Sequence, residues 1–288
     1  MKKNLVKPTV VMDIIDKYKL KMSKSLGQNF LIDDNVRQKI VDAGELSPEK
    51  VVVEIGPGIG VLTQAIAEQV EKVIAVELDK RLVPVLAETL GEYSNVEVIN
   101  NDVLKVNLEE LVLERANTQK FTVISNLPYY ITTPIIMGLL EKNYPIEIMV
   151  FMMQKEVADR IVAKPGTKAY GSLSVAVQYY TETELVTKVP QNVFIPKPDV
   201  ESAVVKFVRR PKPPISLASE EVFFKVLKAG FAQRRKTLYN TLKGNLNIEG
   251  EDLLNALEQA GIDSKRRAET LSMDEFAALA NEINKIRN

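Results

Sequence analysis

Five short apolar runs recur between residues 51 and 152, separated by stretches of helical periodicity, and no other feature constrains the fold as strongly. The runs at 51–55, 72–77, 96–99, 121–125 and 146–152 have strand length and are rich in β-branched residues, whereas 82–90 repeats its apolar residues at helical spacing. Thr132-Thr133-Pro134 predicts another helix start, with a capping threonine and a proline in the first turn. Strands alternating with helices require right-handed crossovers, which implies an α/β domain on a mostly parallel sheet. The β-rich stretches 183–189 and 203–208 are expected to close that sheet as an antiparallel edge hairpin.

The pattern breaks at Arg209-Arg210-Pro211-Lys212-Pro213-Pro214, a linker signal. Beyond it only helical signals remain, over 220–243, 251–260 and 273–286, with Ser219 and the Ser272/Glu275 pair as N-terminal caps. A chain of 288 residues has room for two domains. The expected division is a basic N-terminal arm at 1–24, a cofactor-binding catalytic domain at 25–210 and a smaller all-helical domain at 215–288.

Two absences narrow the chemistry. With no cysteine and no histidine, the chain has no disulfide, no thiolate, no zinc site of the usual kind and no histidine base, so no metal is expected. No apolar run approaches the roughly 20 residues of a membrane span, and the basic N-terminus lacks the apolar core of a secretory signal. A cytoplasmic protein without membrane association is expected. Net charge is zero, yet unevenly spread. Lys2, Lys3, Lys7, Lys17, Lys19, Lys21 and Lys24 face only Asp13 and Asp16 in the arm, and a second basic group includes Arg209, Arg210, Arg234, Arg235 and Lys236. Such clusters attract phosphate backbones and are equally compatible with a solvated face.

Glu54-Ile55-Gly56-Pro57-Gly58-Ile59-Gly60 stands where a strand passes into a helix. Glycines allow turn conformations and close ligand approach, and Glu77, about 20 residues on, ends the next strand in position to accept both hydroxyls of a ribose. The glycine spacing differs from that of dinucleotide enzymes; Pro57 removes a backbone donor, and Glu54 places a carboxylate where a pyrophosphate would otherwise be received. Asp102, after the third strand, is suited to accept from an adenine amino group. These preferences fit S-adenosylmethionine, a cation without phosphate, although Glu54 and Asp102 are individually compatible with loop carboxylates.

Asn126-Leu127-Pro128-Tyr129-Tyr130 follows the fourth apolar run. A strand ending in a fixed amide, a proline carbonyl and an aromatic ring offers an exocyclic amine two acceptors and a stacking surface, which suits an adenine taken out of its stack. The Asn126 oxygen and the Leu127 or Pro128 carbonyl are the acceptors, and Tyr130 is expected in the core.

Together these stretches resemble the ordered motifs of the ribosomal RNA adenine N6-dimethyltransferase family. Similarity extends to Ser25-Leu26-Gly27-Gln28-Asn29-Phe30-Leu31, to Val193-Phe194-Ile195-Pro196-Lys197-Pro198-Asp199-Val200-Glu201-Ser202 and to Phe231-Ala232-Gln233-Arg234-Arg235-Lys236-Thr237-Leu238, without departure at a motif position. The resemblance implies a Rossmann-like methyltransferase sheet of seven strands, the last inserted antiparallel. It also implies that Asn29 and Leu31 lie near the methionine end of the cofactor, Gly56 under it, Glu77 on its ribose and Asp102 on its adenine, with Asn126 spanning cofactor and target. Tyr129 would stack on the target base; for Phe194 a base contact and a hydrophobic plug ahead of Pro196 are both open. Arg234, Arg235 and Lys236 would contact phosphates.

The chain looks most like the bacterial members that dimethylate two adjacent adenines near the 3′ end of small-subunit ribosomal RNA. The zero net charge favours an assembling small subunit as substrate over free RNA. Sister enzymes that dimethylate large-subunit ribosomal RNA and confer macrolide resistance share most of the motifs. An assembly checkpoint factor and a nicotinamide-dependent oxidoreductase are the readings from other classes.

Overall fold

A computed structural model describes residues 3–20 and 28–287. Lys2, Lys21 and Lys24 of the basic arm, and Ser25-Leu26-Gly27 of the first motif, lie outside the described residues.

The chain begins with α1 (Pro8–Lys17), β1 (Phe30–Leu31) and α2 (Asp34–Ala43). Strands and helices then alternate: β2 (Val51–Ile55), α3 (Val61–Ala67), β3 (Lys72–Glu77), α4 (Val83–Thr89), β4 (Val96–Asn100), α5 (Leu108–Ala116), β5 (Phe121–Asn126), α6 (Thr132–Glu141) and β6 (Ile146–Gln154). They are followed by α7 (Lys155–Ile161), α8 (Ser172–Tyr180), β7 (Thr181–Val189), β8 (Phe194–Ile195) and β9 (Ser202–Arg209). The remainder is helical: α9 (Glu220–Gly230), α10 (Leu238–Lys243), α11 (Gly250–Gln259) and α12 (Met273–Arg287).

The sheet has seven strands in the order β4-β3-β2-β5-β6-β9-β7. The pairings from β4 through β6 are parallel, as the alternation predicts. β9 runs antiparallel to β6, from Ile148 opposite Val208 to Gln154 opposite Ser202. The last strand is therefore inserted beside β6, and the earlier β7 takes the edge. Side chains explain the order: Ala203, Val204, Val205 and Phe207 are fully buried and suit an interior strand. β7 alternates Glu182, Glu184 and Lys188 with less polar residues, and such charge protects an exposed edge.

The arm is docked rather than free over its described residues. Leu5, Val11 and Ile14 enter the same core cluster as α2 and α3 residues. Lys3, Lys17 and the Tyr18 hydroxyl all converge on Glu88 of α4, the Lys17 ammonium at 2.6 Å. These partners hold the Glu88 carboxyl down at about 2. Part of the basic arm is thus neutralised locally.

Contacts divide the chain into two compact units, Met1–Ala158 with Thr183–Arg209, and Asp159–Glu182 with Arg210–Asn288. The C-terminal helices therefore share their unit with α8, beyond the span 215–288 read from sequence. Aromatic packing accounts for this: Tyr179 of α8 lies 5.6 Å from Phe223 and 5.4 Å from Phe224 of α9, ring centre to ring centre. The helical signal over 220–243 is split, because Gln233, Arg234, Arg235 and Lys236 are all exposed and give a helix no apolar face. The Thr237 hydroxyl then caps α10 by accepting from the Asn240 N–H at 3.4 Å. Ser272 and Glu275 form the expected reciprocal box, at 3.2 and 2.8 Å. Thr132 is not a cap: it occupies the first turn of α6 and donates to the Pro128 carbonyl at 3.0 Å. No helix among the described residues is long and apolar enough to cross a membrane.

Replacing Glu88 with glutamine removes the shared charge of the arm's tether. Exposed pairs are worth about 0–1 kcal/mol each, so global stability should change little. Amide exchange along Pro8–Lys17 should accelerate, and an unchanged exchange pattern would show that apolar docking alone holds the arm.

Candidate cofactor and target site

A solvent-open cleft of about 900 Å³, the space at its mouth included, lies at the carboxyl ends of the parallel strands. This is where an open α/β sheet leaves space, since the strand-to-helix turns diverge there. Glu54 and Ile55 contribute from the end of β2, Gly56, Pro57 and Gly58 from the turn after it, Glu77 from β3, Asp102 from the segment after β4 and Asn126 from the end of β5. Gln28, Asn29, Phe30 and Leu31 form another wall. The Ser125 hydroxyl accepts from the Ile55 N–H at 2.8 Å and holds the ends of β2 and β5 together. Gly56 and Gly58 have φ of +67° and +62°, a region that disfavours side chains. A Cβ at Gly56 would meet only Pro128, at 3.9 Å, so the floor there is open to a ligand; at Gly58 it would stand 3.2 Å from the Phe30 ring.

Four carboxylates line the cleft, and no lysine or arginine does among the described residues. Glu54 is 1 % exposed and its Oε2 has no hydrogen-bond partner, nor has the Thr63 hydroxyl. Burial pushes the Glu54 carboxyl up to about 8 and that of Glu77 to about 7. Glu77 accepts from the Asp79 N–H at 2.7 Å and the Gly58 N–H at 3.4 Å, which orients it across the glycine turn. Asp79, absent from the sequence-based reading, is held down at about 2 by the Arg81 guanidinium and by Gln28, whose Nε2 donates at 2.7 Å. Asp102 caps its own loop, with Oδ1 accepting from the Leu104 N–H at 3.0 Å.

At the other end of the cleft, the Asn126 Nδ2 donates to the Asn29 carbonyl at 3.1 Å. Only the nitrogen end of an amide can donate to a carbonyl, so this bond fixes which way the amide points. Leu127 is buried and its N–H donates to the Met152 carbonyl at 2.9 Å, while Pro128 lines the cleft. The Pro128 carbonyl already accepts from the Thr132 hydroxyl at 3.0 Å and the Ile131 N–H at 3.3 Å. Tyr129 is half-buried, and its hydroxyl shares a 2.6 Å hydrogen bond with buried Ser202, which pins the ring. Tyr130 is not a core residue: it is 49 % exposed and lines the cleft. Phe194 is 3 % exposed within the core cluster and pairs with Leu31 across the short β1–β8 ladder, the arrangement of a plug.

The family model described as Ribosomal RNA adenine dimethylase matches residues 19–285. The chain belongs to that family. It is 53 % identical over 98 % of both chains to Ribosomal RNA small subunit methyltransferase A of Bacillus mycoides, and 52 % identical over the same shares to that of Bacillus cytotoxicus. Among solved structures, a dimethyladenosine transferase from Plasmodium falciparum superposes with a TM-score of 0.75 at 26 % identity, over 88 % of this chain and 97 % of that one. The 23S rRNA methyltransferase ErmE gives 0.68 at 28 %, over 89 % and 100 %.

As a ribosomal RNA adenine dimethylase the chain uses S-adenosylmethionine, and its cleft fits that cofactor. The orphaned Glu54 oxygen, a lining of four acidic side chains and an open floor at Gly56 suit a cationic nucleoside and oppose a pyrophosphate. No group of His, Cys, Asp or Glu suited to holding a metal ion occurs among the described residues. Gln28, Asp79 and Tyr130 were missed from sequence. Asp79 lies two residues after Glu77, and that proximity to a strand end was the available signal.

The raised carboxyls make stability pH-dependent. The protonated Glu54 fits its buried site, so its contribution is complete below the ordinary 4.5 and is lost as pH rises through about 8. Without cofactor, Tm should therefore fall between about pH 5 and pH 8, and E54Q should flatten that slope. A variant as pH-sensitive as the parent would place the titration elsewhere.

Proposed function

We propose that this chain transfers methyl groups from S-adenosylmethionine to N6 of two adjacent adenines near the 3′ end of small-subunit ribosomal RNA, acting on assembling small subunits in the cytoplasm. The small-subunit choice is supported by identities of 53 % and 52 % to relatives named for that subunit, against 28 % to the large-subunit enzyme ErmE. The chemical reading is carried by one bond, that of the Asn126 amide to the Asn29 carbonyl.

When bound, S-adenosylmethionine supplies an electrophilic methyl group on a sulfonium. Asn29, Leu31 and Gly56 would hold its methionine end, Glu77 its ribose and Asp102 its adenine. Adenine N6 is a poor nucleophile because its lone pair is delocalised into the ring. With Nδ2 committed to Asn29, the Asn126 Oδ1 is left to accept one amine hydrogen. A carbonyl oxygen has two lone pairs, and both of Pro128's are engaged, which favours the Leu127 carbonyl as the second acceptor. Two acceptors draw the nitrogen toward tetrahedral geometry and expose its lone pair, and positioning of this kind contributes several kcal/mol or more. The released proton passes to solvent, so no histidine is needed.

Tyr129, held by Ser202, would stack on the flipped base for about 1–3 kcal/mol. That offsets the few kcal/mol needed to extract the base from its stack. After the first transfer one hydrogen remains on N6, and one acceptor then faces a methyl group.

Methyl transfer to under-methylated small subunits, with the modified bases mapped, tests the proposal against naked large-subunit RNA as the alternative substrate. Asn126→Ala should lower the transfer rate about 100-fold or more with an unchanged unfolding transition. Wild-type activity in that variant would remove the amide from the mechanism.

A further inference from the structure

Asp79 stands two residues beyond β3, lines the cleft and is 9 % exposed. Its carboxylate is divided between two tasks. Oδ1 accepts from the Arg81 N–H at 3.0 Å and the Arg81 Nε at 2.9 Å, which closes a local turn. Oδ2 accepts from the Arg81 Nη2 at 2.6 Å and from the Gln28 Nε2 at 2.7 Å. Gln28 lies 51 residues away along the chain. The turn at Arg81 needs Oδ1 alone and forms equally well with an asparagine, so it does not account for the bond to Gln28.

Gln28 opens the cleft wall at 28–31, and that wall is attached in three places. Phe30 and Leu31 pair with Ile195 and Phe194 of β8. The Asn29 carbonyl accepts from the Asn126 Nδ2 at 3.1 Å, and the Gln28 side chain reaches Asp79. In the sheet, β3 and β5 flank β2. Asp79 and Asn126 therefore hold neighbouring residues of the wall from opposite sides of the β2 glycine turn. The Phe30 ring lies against that turn, 3.2 Å from where a Cβ on Gly58 would stand. The bond to Asp79 is the attachment on the β3 side, where Glu77 also lines the cleft.

We propose that Asp79 is a positioning residue for the cofactor half of the cleft: through Gln28 it holds the 28–31 wall against the β2 glycine turn and sets the fit of the cleft around S-adenosylmethionine. The inference rests on the proposed placing of the cofactor along Asn29, Gly56 and Glu77, and it adds a residue that acts through another. Both carboxylate oxygens face N–H donors, so an asparagine of the same shape turns its NH2 toward one of them and loses the match. The Gln28 end of the wall then loses its hold, while Asn126 still fixes Asn29. Cofactor affinity should suffer far more than the transfer step.

The test uses the full chain with D79N, Q28A, the D79N/Q28A double variant and E77A as a reference. Calorimetry with S-adenosylmethionine gives Kd, and transfer to under-methylated small subunits gives the cofactor KM and kcat. D79N should raise Kd and KM about 10-fold, the scale of one lost hydrogen bond to a charged group, with kcat within about threefold of the parent. Q28A breaks the same bond from the other side and leaves Asp79 on Arg81, so it decides the question should D79N unfold. It should reproduce the rise in KM, and the double variant should bind no worse than the weaker single variant. An Asp79 that served only the local turn would lower the unfolding temperature without this split between KM and kcat. Parent affinity in D79N, or losses that add in the double variant, would overturn the positioning role. If E77A binds the cofactor as tightly as the parent, the proposed placing of the cofactor falls; weak binding by E77A with parent affinity in D79N overturns Asp79 alone.

Discussion

Parallel strands end on a common side of a sheet, and the cleft-lining groups of the first unit hang from that side. Glu54 lies near the end of β2 and the glycine turn follows it, Glu77 closes β3, Asp102 follows β4 and Asn126 closes β5. The register that pairs Glu54 with Ala75 on one side and Ile124 on the other puts these groups level. The Ser125 hydroxyl, accepting from the Ile55 N–H, then closes the gap between β2 and β5. Shifting any strand by one residue would turn its acidic or amide terminus to the opposite face.

Desolvation gives the cleft its chemical character. Four carboxylates, with no lysine or arginine lining the cleft among the described residues, would repel each other if all were charged, and burial relieves this by raising Glu54 to about 8 and Glu77 to about 7. Asp79 remains charged because Arg81 and Gln28 hold it. At the far end of the cleft the Asn126 bond to Asn29 joins the end of β5 to the wall that precedes β1.

Basic side chains in this chain serve its own structure. Lys3 and Lys17 stabilise the arm on Glu88, and Arg234 pairs with Glu269. Both had the sequence signature of phosphate contacts, because a basic run records charge and says nothing of the carboxylate that folding brings to it. Glu88 lies 71 residues from Lys17, and Glu269 lies 35 from Arg234.

What the sequence determined by itself was whatever depends on neighbours along the chain. The five strand runs, the glycine turn after Glu54, the Ser272–Glu275 cap and the Asn126-Leu127-Pro128-Tyr129 terminus were all legible, because periodicity, turn chemistry and capping act over a few residues. Tertiary structure decided the rest. It inserted β9 beside β6 because its residues are buried on both faces, and it joined α8 to the C-terminal helices through Tyr179. It exposed Tyr130, buried Phe194 and engaged both lone pairs of the Pro128 carbonyl. Each of those outcomes depends on which distant side chain or backbone group arrives at a given point, and local sequence carries no record of that meeting.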